Sequence, residues 1–279
     1  MSEIIRAFLD DTSQILGPKF SFGELPETRS EREREIAAFV MKKAEIIYNE
    51  AKKIGGVKYM NPFEAMLHNH IYKTRYSKNE EGESRAVIPT EYPPETGYEE
   101  MLLRELIVSF GKKLVEENLV QGTWGNISVR LGKREILVTP SGIDYDRITP
   151  QAIVKIDIHN ERYEGELKPT SEKNLHLECY KRRSDINAII HTHSTYACVF
   201  ACANKDMEYD GINVSCGKYA VPGSRKVAKN TAAALGNGIG AFMANHGMIA
   251  VGSDLGEAFR NAVLIEEKAK ECLDSLQPL

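Results

Sequence analysis

The chain of 279 residues holds a single tryptophan. It has no apolar run approaching the ~18 residues that a membrane-spanning helix needs, so no such helix is expected. It lacks an excess of positive charge: 36 Lys and Arg stand against 40 Asp and Glu, a formal net charge of −4. Bulk charge therefore excludes a strongly basic nucleic-acid binder. Neither G-x-G-x-x-G nor the P-loop pattern occurs, which removes the common nucleotide-binding fingerprints. No G-x-S-x-G elbow supports an α/β-hydrolase. No C-x-x-C pair occurs among Cys179, Cys198, Cys202, Cys216 and Cys272, and their number is odd. That usage points to reduced thiols and a cytoplasmic location rather than a disulfide framework. The first residues, MSEIIRAFLDDTSQILG, carry acids where a secretory leader needs basic and then apolar residues. What is present is ordinary for a globular protein: 42% hydrophobic and 27% charged residues are too apolar for wholesale disorder.

The clearest break in the chain is Ile88-Pro89-Thr90-Glu91-Tyr92-Pro93-Pro94-Glu95-Thr96-Gly97, where three prolines remove amide donors and disfavour helix before them. It follows a polar stretch, Ser77 to Arg85, and places a boundary near residue 95. Residues 1–95 are expected to be a mostly helical N-terminal extension. Its strong helix opens on a Ser30/Glu33 capping box and carries an apolar stripe of Ile36, Val40, Ala44, Ile47, Ala51 and Ile54, with Gly55-Gly56 to end it. A region this small has limited core of its own, so the stripe is expected to bury against residues 96–279 or another subunit.

Residues 96–279 interleave helices and strands, so the fold class is α/β. Leu103, Leu106, Ile107, Phe110 and Leu114 form the apolar face of a helix over 98–118. Strands are expected at 127–130, 136–139, 153–157 and 188–193 and helices at 171–183, 195–203, 224–235 and 254–275. One further strand is expected between 203 and 224. The runs 241–244 and 248–251 read as a hairpin or bent strand pair around His246-Gly247.

His191-Thr192-His193 is the sharpest chemical feature. Side chains alternate faces along a strand, so two imidazoles two residues apart leave the same face, about 6–7 Å apart, close enough to converge on a divalent ion. They can equally be hydrogen-bonded at a strand end. His246, in apolar strand-like sequence, is either a satisfied core residue or the third ligand. Glu172 follows Lys168-Pro169-Thr170-Ser171, a helix start with Thr170 or Ser171 as cap. It is a candidate base, or it simply complements the helix dipole. His176, one turn on, is a ligand, or it packs or bonds Glu172. The turns Gln121-Gly122-Thr123-Trp124-Gly125-Asn126 and Thr139-Pro140-Ser141-Gly142 can aim N–H groups at an anion, as can the start of the Glu172 helix, or they are plain turns. His68-Asn69-His70 has no strand-like context or third ligand, and Cys198 and Cys202 read as buried thiols.

The motifs QGTWGNISVR, ILVTPSGIDYDRITP, KPTSEKNLH, IIHTHS and ANHGMIA occur in one order and spacing. Through them, residues 96–279 resemble the zinc-dependent class II aldolase/adducin family. The resemblance implies a three-layer α/β/α fold with a mainly antiparallel central sheet. It implies His191, His193 and His246 as zinc ligands, with manganese or cobalt as alternative ions. Glu172 becomes the catalytic acid/base. Gly125, Asn126, Ser141, Gly142, Thr170 and Ser171 become the cradle for a substrate phosphate. The implied reaction is retro-aldol cleavage of a ketose 1-phosphate, of fuculose, rhamnulose or ribulose-phosphate type, to dihydroxyacetone phosphate and an aldehyde. A homotetramer with sites between subunits is also implied, with no nucleic-acid or membrane partner. Alternatives within the resemblance are a pentulose-phosphate 4-epimerase, a methylthioribulose-1-phosphate dehydratase-like enzyme and a non-enzymatic, adducin-like interaction domain. The chain departs from the fuculose-type pattern where those enzymes carry a catalytic Tyr: the spacing falls on Ile212, with Tyr209 and Tyr219 nearby.

Overall fold

A computed structural model describes residues 88–93 and 95–276, together with eight positions between 43 and 54. The capping box, Ile36, Val40, Ala44, Gly55-Gly56, His68, His70 and the polar stretch 77–85 lie outside the described residues.

Eight strands form one sheet in the order β3-β2-β1-β4-β8-β7-β6-β5. They are β1 (Asn126–Leu131), β2 (Glu135–Val138), β3 (Val154–Asp157), β4 (Ala188–Thr192), β5 (Met207–Tyr209), β6 (Ile212–Gly217), β7 (Gly240–Met243) and β8 (Gly247–Gly252). The helices are α1 (Tyr98–Glu116), α2 (Lys173–Arg182), α3 (Thr195–Ala203), α4 (Arg225–Leu235) and α5 (Leu255–Ser275). Every strand pairing is antiparallel except β6 with β7, in line with the expected mainly antiparallel α/β architecture. Two strands, β5 and β6, occupy the stretch where one was expected. Asp210 and Gly211, both at positive φ, turn the chain between them and split the run into a hairpin.

Alternation along the strands sends two sets of side chains to opposite faces. Ile127, Val129, Ala188, Ile190, Phe242, Met248 and Ala250 pack with α1, α3 and α5. Ile136, Val154, Ile189, Ala241, Ile249 and Val251 pack with α2 and α4. The sheet is thus the middle layer of three. Each fully buried Ile, Leu or Phe contributes on the order of 1.5–3 kcal/mol of transfer free energy. Ile47 and Ala51, two positions of the N-terminal stripe, are buried in the first of these cores, and Ile54 packs against it. The described part of that stripe therefore packs on the body of residues 96–279, as its apolar spacing required.

Two local expectations need correction. Helix α2 begins at Lys173, so Glu172 occupies its N-cap position rather than the first turn, and neither Thr170 nor Ser171 is the cap residue. The Thr170 hydroxyl nevertheless accepts from the Glu172 amide at 3.3 Å. The second concerns His193, which lies just past the end of β4 rather than within it.

Candidate metal centre and cleft

Strand register places the first site residues. Asn126 on β1 stands directly opposite His191 on β4, and His191 opposite Ile249 on β8. Asn126 and His191 share the face covered by α2, which brings Glu172 above them. The tight turn between β7 and β8, with Asn245 at φ 58° and the His246 amide bonded to the Met243 carbonyl at 2.9 Å, swings His246 back over the same spot. Gly247 makes this approach feasible. A Cβ there would run into the Thr192 carbonyl oxygen and stand 2.9 Å from His193 Cδ2 and 3.1 Å from His191 Cε1. Gly125 plays a similar part on the other side: at φ 84°, a Cβ would lie 2.6 Å from the His191 carbonyl oxygen.

Glu172, His191, His193 and His246 each turn one donor atom inward, and these four atoms lie within 4.8 Å of one another. His191 Nε2 is 2.8 Å from His193 Nε2 and 2.9 Å from Glu172 Oε2; His246 Nε2 is 3.1 Å from Glu172 Oε1. The three rings meet edge to face, with centroids 4.7, 5.0 and 4.9 Å apart. His191 Nδ1 donates to the Met248 carbonyl at 2.8 Å, so its Nε2 presents a lone pair when the ring is neutral.

Lone pairs and a carboxylate crowded this closely demand positive charge at their centre. Burial pushes the Glu172 carboxyl up, but the facing His191 and His246 outweigh that and hold it well below the usual carboxylate range. Burial lowers His191, yet the adjoining Glu172 carboxylate more than reverses this and raises it above the ordinary imidazole value. His193, buried and facing His191 and His246, is held well below that value. A divalent cation meets the same electrostatic need with all three rings neutral, and three imidazole nitrogens plus one carboxylate oxygen are a suitable ligand set for it. By donor chemistry and placement these four residues fit a metal ion.

All ten sequence-predicted site residues gather here, and all but the fully enclosed His191 line a single open cleft. Its far wall is built from two turns tied together: the Ser141 amide bonds the Lys168 carbonyl at 2.9 Å, and the Thr170 amide bonds the Thr139 carbonyl at 3.0 Å. Ser141, Gly142, Thr170 and Ser171 face the cleft from these turns. The start of α2 is less open to an anion than its sequence implied. The amides of Lys173 and Leu175 bond back to the carbonyls of Thr170 and Glu172.

His176 corrects one expectation and reveals two residues the sequence reading missed. It does not touch the metal cluster or bond Glu172. Its Nε2 lies 2.5 Å from Asn126 Oδ1, and its Nδ1 lies 2.6 Å from the Ser128 hydroxyl. Asn126 Nδ2 in turn donates to Glu172 Oε2 at 3.1 Å. The Tyr180 hydroxyl sits 3.0 Å from Ser128 Oγ and donates to the Ser128 carbonyl at 3.1 Å. Ser128 and Tyr180 carried a readable signal: Ser128 is two residues from Asn126 on a strand, and Tyr180 extends the i, i+4 series from Glu172 and His176. Trp124, whose ring centroid is 5.9 Å from that of His193, also lines the cleft. Tyr209 and Tyr219 do not line it.

Residues 105–273 match the description Class II Aldolase and Adducin N-terminal domain. The chain belongs to the class II aldolase and adducin family. It is 36% identical over 171 residues to the 5-deoxy-D-ribulose 1-phosphate aldolase of Bacillus thuringiensis serovar kurstaki, covering 58% of this chain and 80% of that protein. It is 33% identical over 179 residues to the 3-oxo-tetronate 4-phosphate decarboxylase of Haemophilus influenzae, covering 60% and 85%. Among solved structures, an L-fuculose 1-phosphate aldolase superposes with a TM-score of 0.59 at 38% identity, over 63% of this chain and 88% of that one. Among the described residues, no helix is long and apolar enough to cross a membrane.

Proposed function

We propose that this protein is a zinc-dependent aldehyde-lyase that cleaves a ketose 1-phosphate to dihydroxyacetone phosphate and an aldehyde. The observation that carries this reading is the convergence of three imidazole nitrogens and the Glu172 carboxylate at one wall of a cleft. The opposite wall is made of hydroxyls and backbone turns. His191, His193 and His246 hold the ion, which when bound supplies Lewis acidity to a carbonyl oxygen, an effect worth several kcal/mol. Ser141, Gly142, Thr170 and Ser171, with Gly125 and Asn126, hold the phosphate and so fix the distance from phosphate to carbonyl. Glu172 moves the proton: its carboxylate faces both the histidine cluster and the cleft, and it returns a proton to the carbon freed when the C–C bond breaks.

The aldolase and fuculose-aldolase relatives support this substrate class. The decarboxylase relative favours a second reading, since loss of CO₂ beside a carbonyl leaves the same kind of carbanion for Glu172 to protonate. A complete histidine set speaks for an enzyme over an adducin-like interaction domain. Metal analysis combined with a screen of ketose 1-phosphates and 4-phosphate keto acids tests the proposal. About one zinc per chain and release of dihydroxyacetone phosphate are expected. CO₂ release without any aldehyde product selects the second reading. A chain that takes up no divalent metal refutes both.

A further inference from the structure

The hydrogen bonds behind Glu172 run in one direction only. An ionised carboxylate accepts and cannot donate, so the Asn126 amide must turn its NH₂ toward Glu172 Oε2. Its Oδ1 then faces His176 Nε2 at 2.5 Å, and that nitrogen must carry the hydrogen. A neutral His176 ring then has only a lone pair at Nδ1, so the Ser128 hydroxyl donates to it at 2.6 Å. The Tyr180 hydroxyl, 3.0 Å from Ser128 Oγ, donates its one hydrogen to the Ser128 carbonyl at 3.1 Å. His176 is fully enclosed, Asn126 is 3% exposed and Ser128 is enclosed, so no solvent competes along this line. The other His176 tautomer would set two lone pairs against each other at 2.5 Å. Everything in the chain of donors ends on a single oxygen of one carboxylate, Oε2.

We propose that His176 is a positioning residue for the proton-transfer step, acting through Asn126 to fix the orientation of the Glu172 carboxylate. Oε2 takes the Asn126 hydrogen bond and lies 2.9 Å from His191 Nε2, while Oε1 is buried 3.1 Å from His246 Nε2. Ser128 holds His176 in the one tautomer able to donate to Asn126, and Tyr180 holds Ser128. The proposal rests on Glu172 as the acid/base, so the two ideas must be allowed to fail separately.

The test compares Glu172→Gln, His176→Leu, His176→Gln and Ser128→Ala in one cleavage assay, with zinc content measured for each. His176→Leu loses the donor to Asn126, and kcat is expected to fall about 10–100-fold with KM near the parent value and zinc retained. His176→Gln keeps an N–H at the reach of Nε2 and recovers most of kcat. Ser128→Ala, the variant least able to disturb folding, frees the tautomer: the ¹⁵N spectrum of His176 shifts from Nε2–H alone to a mixture, and kcat falls severalfold. If Glu172→Gln stays fully active, the reading of Glu172 fails. If Glu172→Gln is inactive while His176→Leu matches His176→Gln, or Ser128→Ala leaves the His176 spectrum unchanged, the positioning role is overturned.

Discussion

The two faces of the central sheet are built from the same strands and do different work. On the α1, α3 and α5 face, Ile127, Val129, Ile190 and Phe242 meet apolar helix surfaces, and Phe200 stacks on Phe242 at 5.5 Å. On the α2 face, the alternate residues of β1 and β4 include Asn126, Ser128 and His191, buried as deeply as their apolar neighbours but each hydrogen-bonded. A one-residue change in strand phase would exchange the two sets. The comparison teaches that the polar groups of the site follow strand parity: β1 and β4 carry them on the α2 face, beside that face's own apolar core, while the other face of these strands is apolar.

The sharpest way to break that separation is to substitute on the chemical face. Glu172→Gln removes a charge but keeps the shape, and kcat is expected to fall roughly 10³-fold. On the proposed reading zinc is expected to stay bound to the three histidines, which metal analysis of the same sample checks. Phe242→Ala, on the other face, should cost about 3–5 kcal/mol in denaturant unfolding through lost burial and a cavity. Its kcat per folded molecule should remain at the parent value. A large kcat loss in that variant would refute the separation. Gly247→Ala sits where the faces meet, and its Cβ would press on His191 and His193. Zinc affinity measured by competition with a chelator should fall at least about tenfold, a cost of the size expected from overpacking.

A smaller effect concerns pH. Burial pushes His176 down to about 3 from an ordinary 6.5. Above pH 6.5 neither the folded nor the unfolded chain protonates this ring, and its contribution to stability is complete. As pH falls from 6.5 toward 3, the unfolded chain takes up a proton that the folded chain refuses, and stability falls. His176→Gln should flatten this part of a plot of unfolding midpoint against pH. An unchanged slope would assign the acid sensitivity elsewhere. Smallest of all, Arg225→Ala removes a largely exposed ion pair with Glu161 and should leave both the midpoint and the kinetics within error.

Much of this arrangement was legible in the residues. The i, i+4 apolar spacing located α1 and α5 to within a few positions, and the HxH pair, His246 and Glu172 were recognisable as chemistry-bearing groups. Their meeting was not derivable from spacing alone, because Glu172, His191 and His246 reach each other across turns and strands far apart in the chain. The hydrogen-bond partners of His176 were not legible for a related reason. Helical spacing set it one turn from Glu172, but only the pairing of β1 beside β4 inserts Asn126 between them.

By itself, the sequence determined which residues are apolar, which strands alternate, and which imidazoles and carboxylates are available, since these follow from local propensity and side-chain chemistry. Tertiary structure alone decided the strand order, the parallel contact of β6 with β7, and the direction of the hydrogen-bond chain ending on Glu172. Those depend on register between distant segments, and register is set by the joint burial of both faces rather than by any one segment's preference.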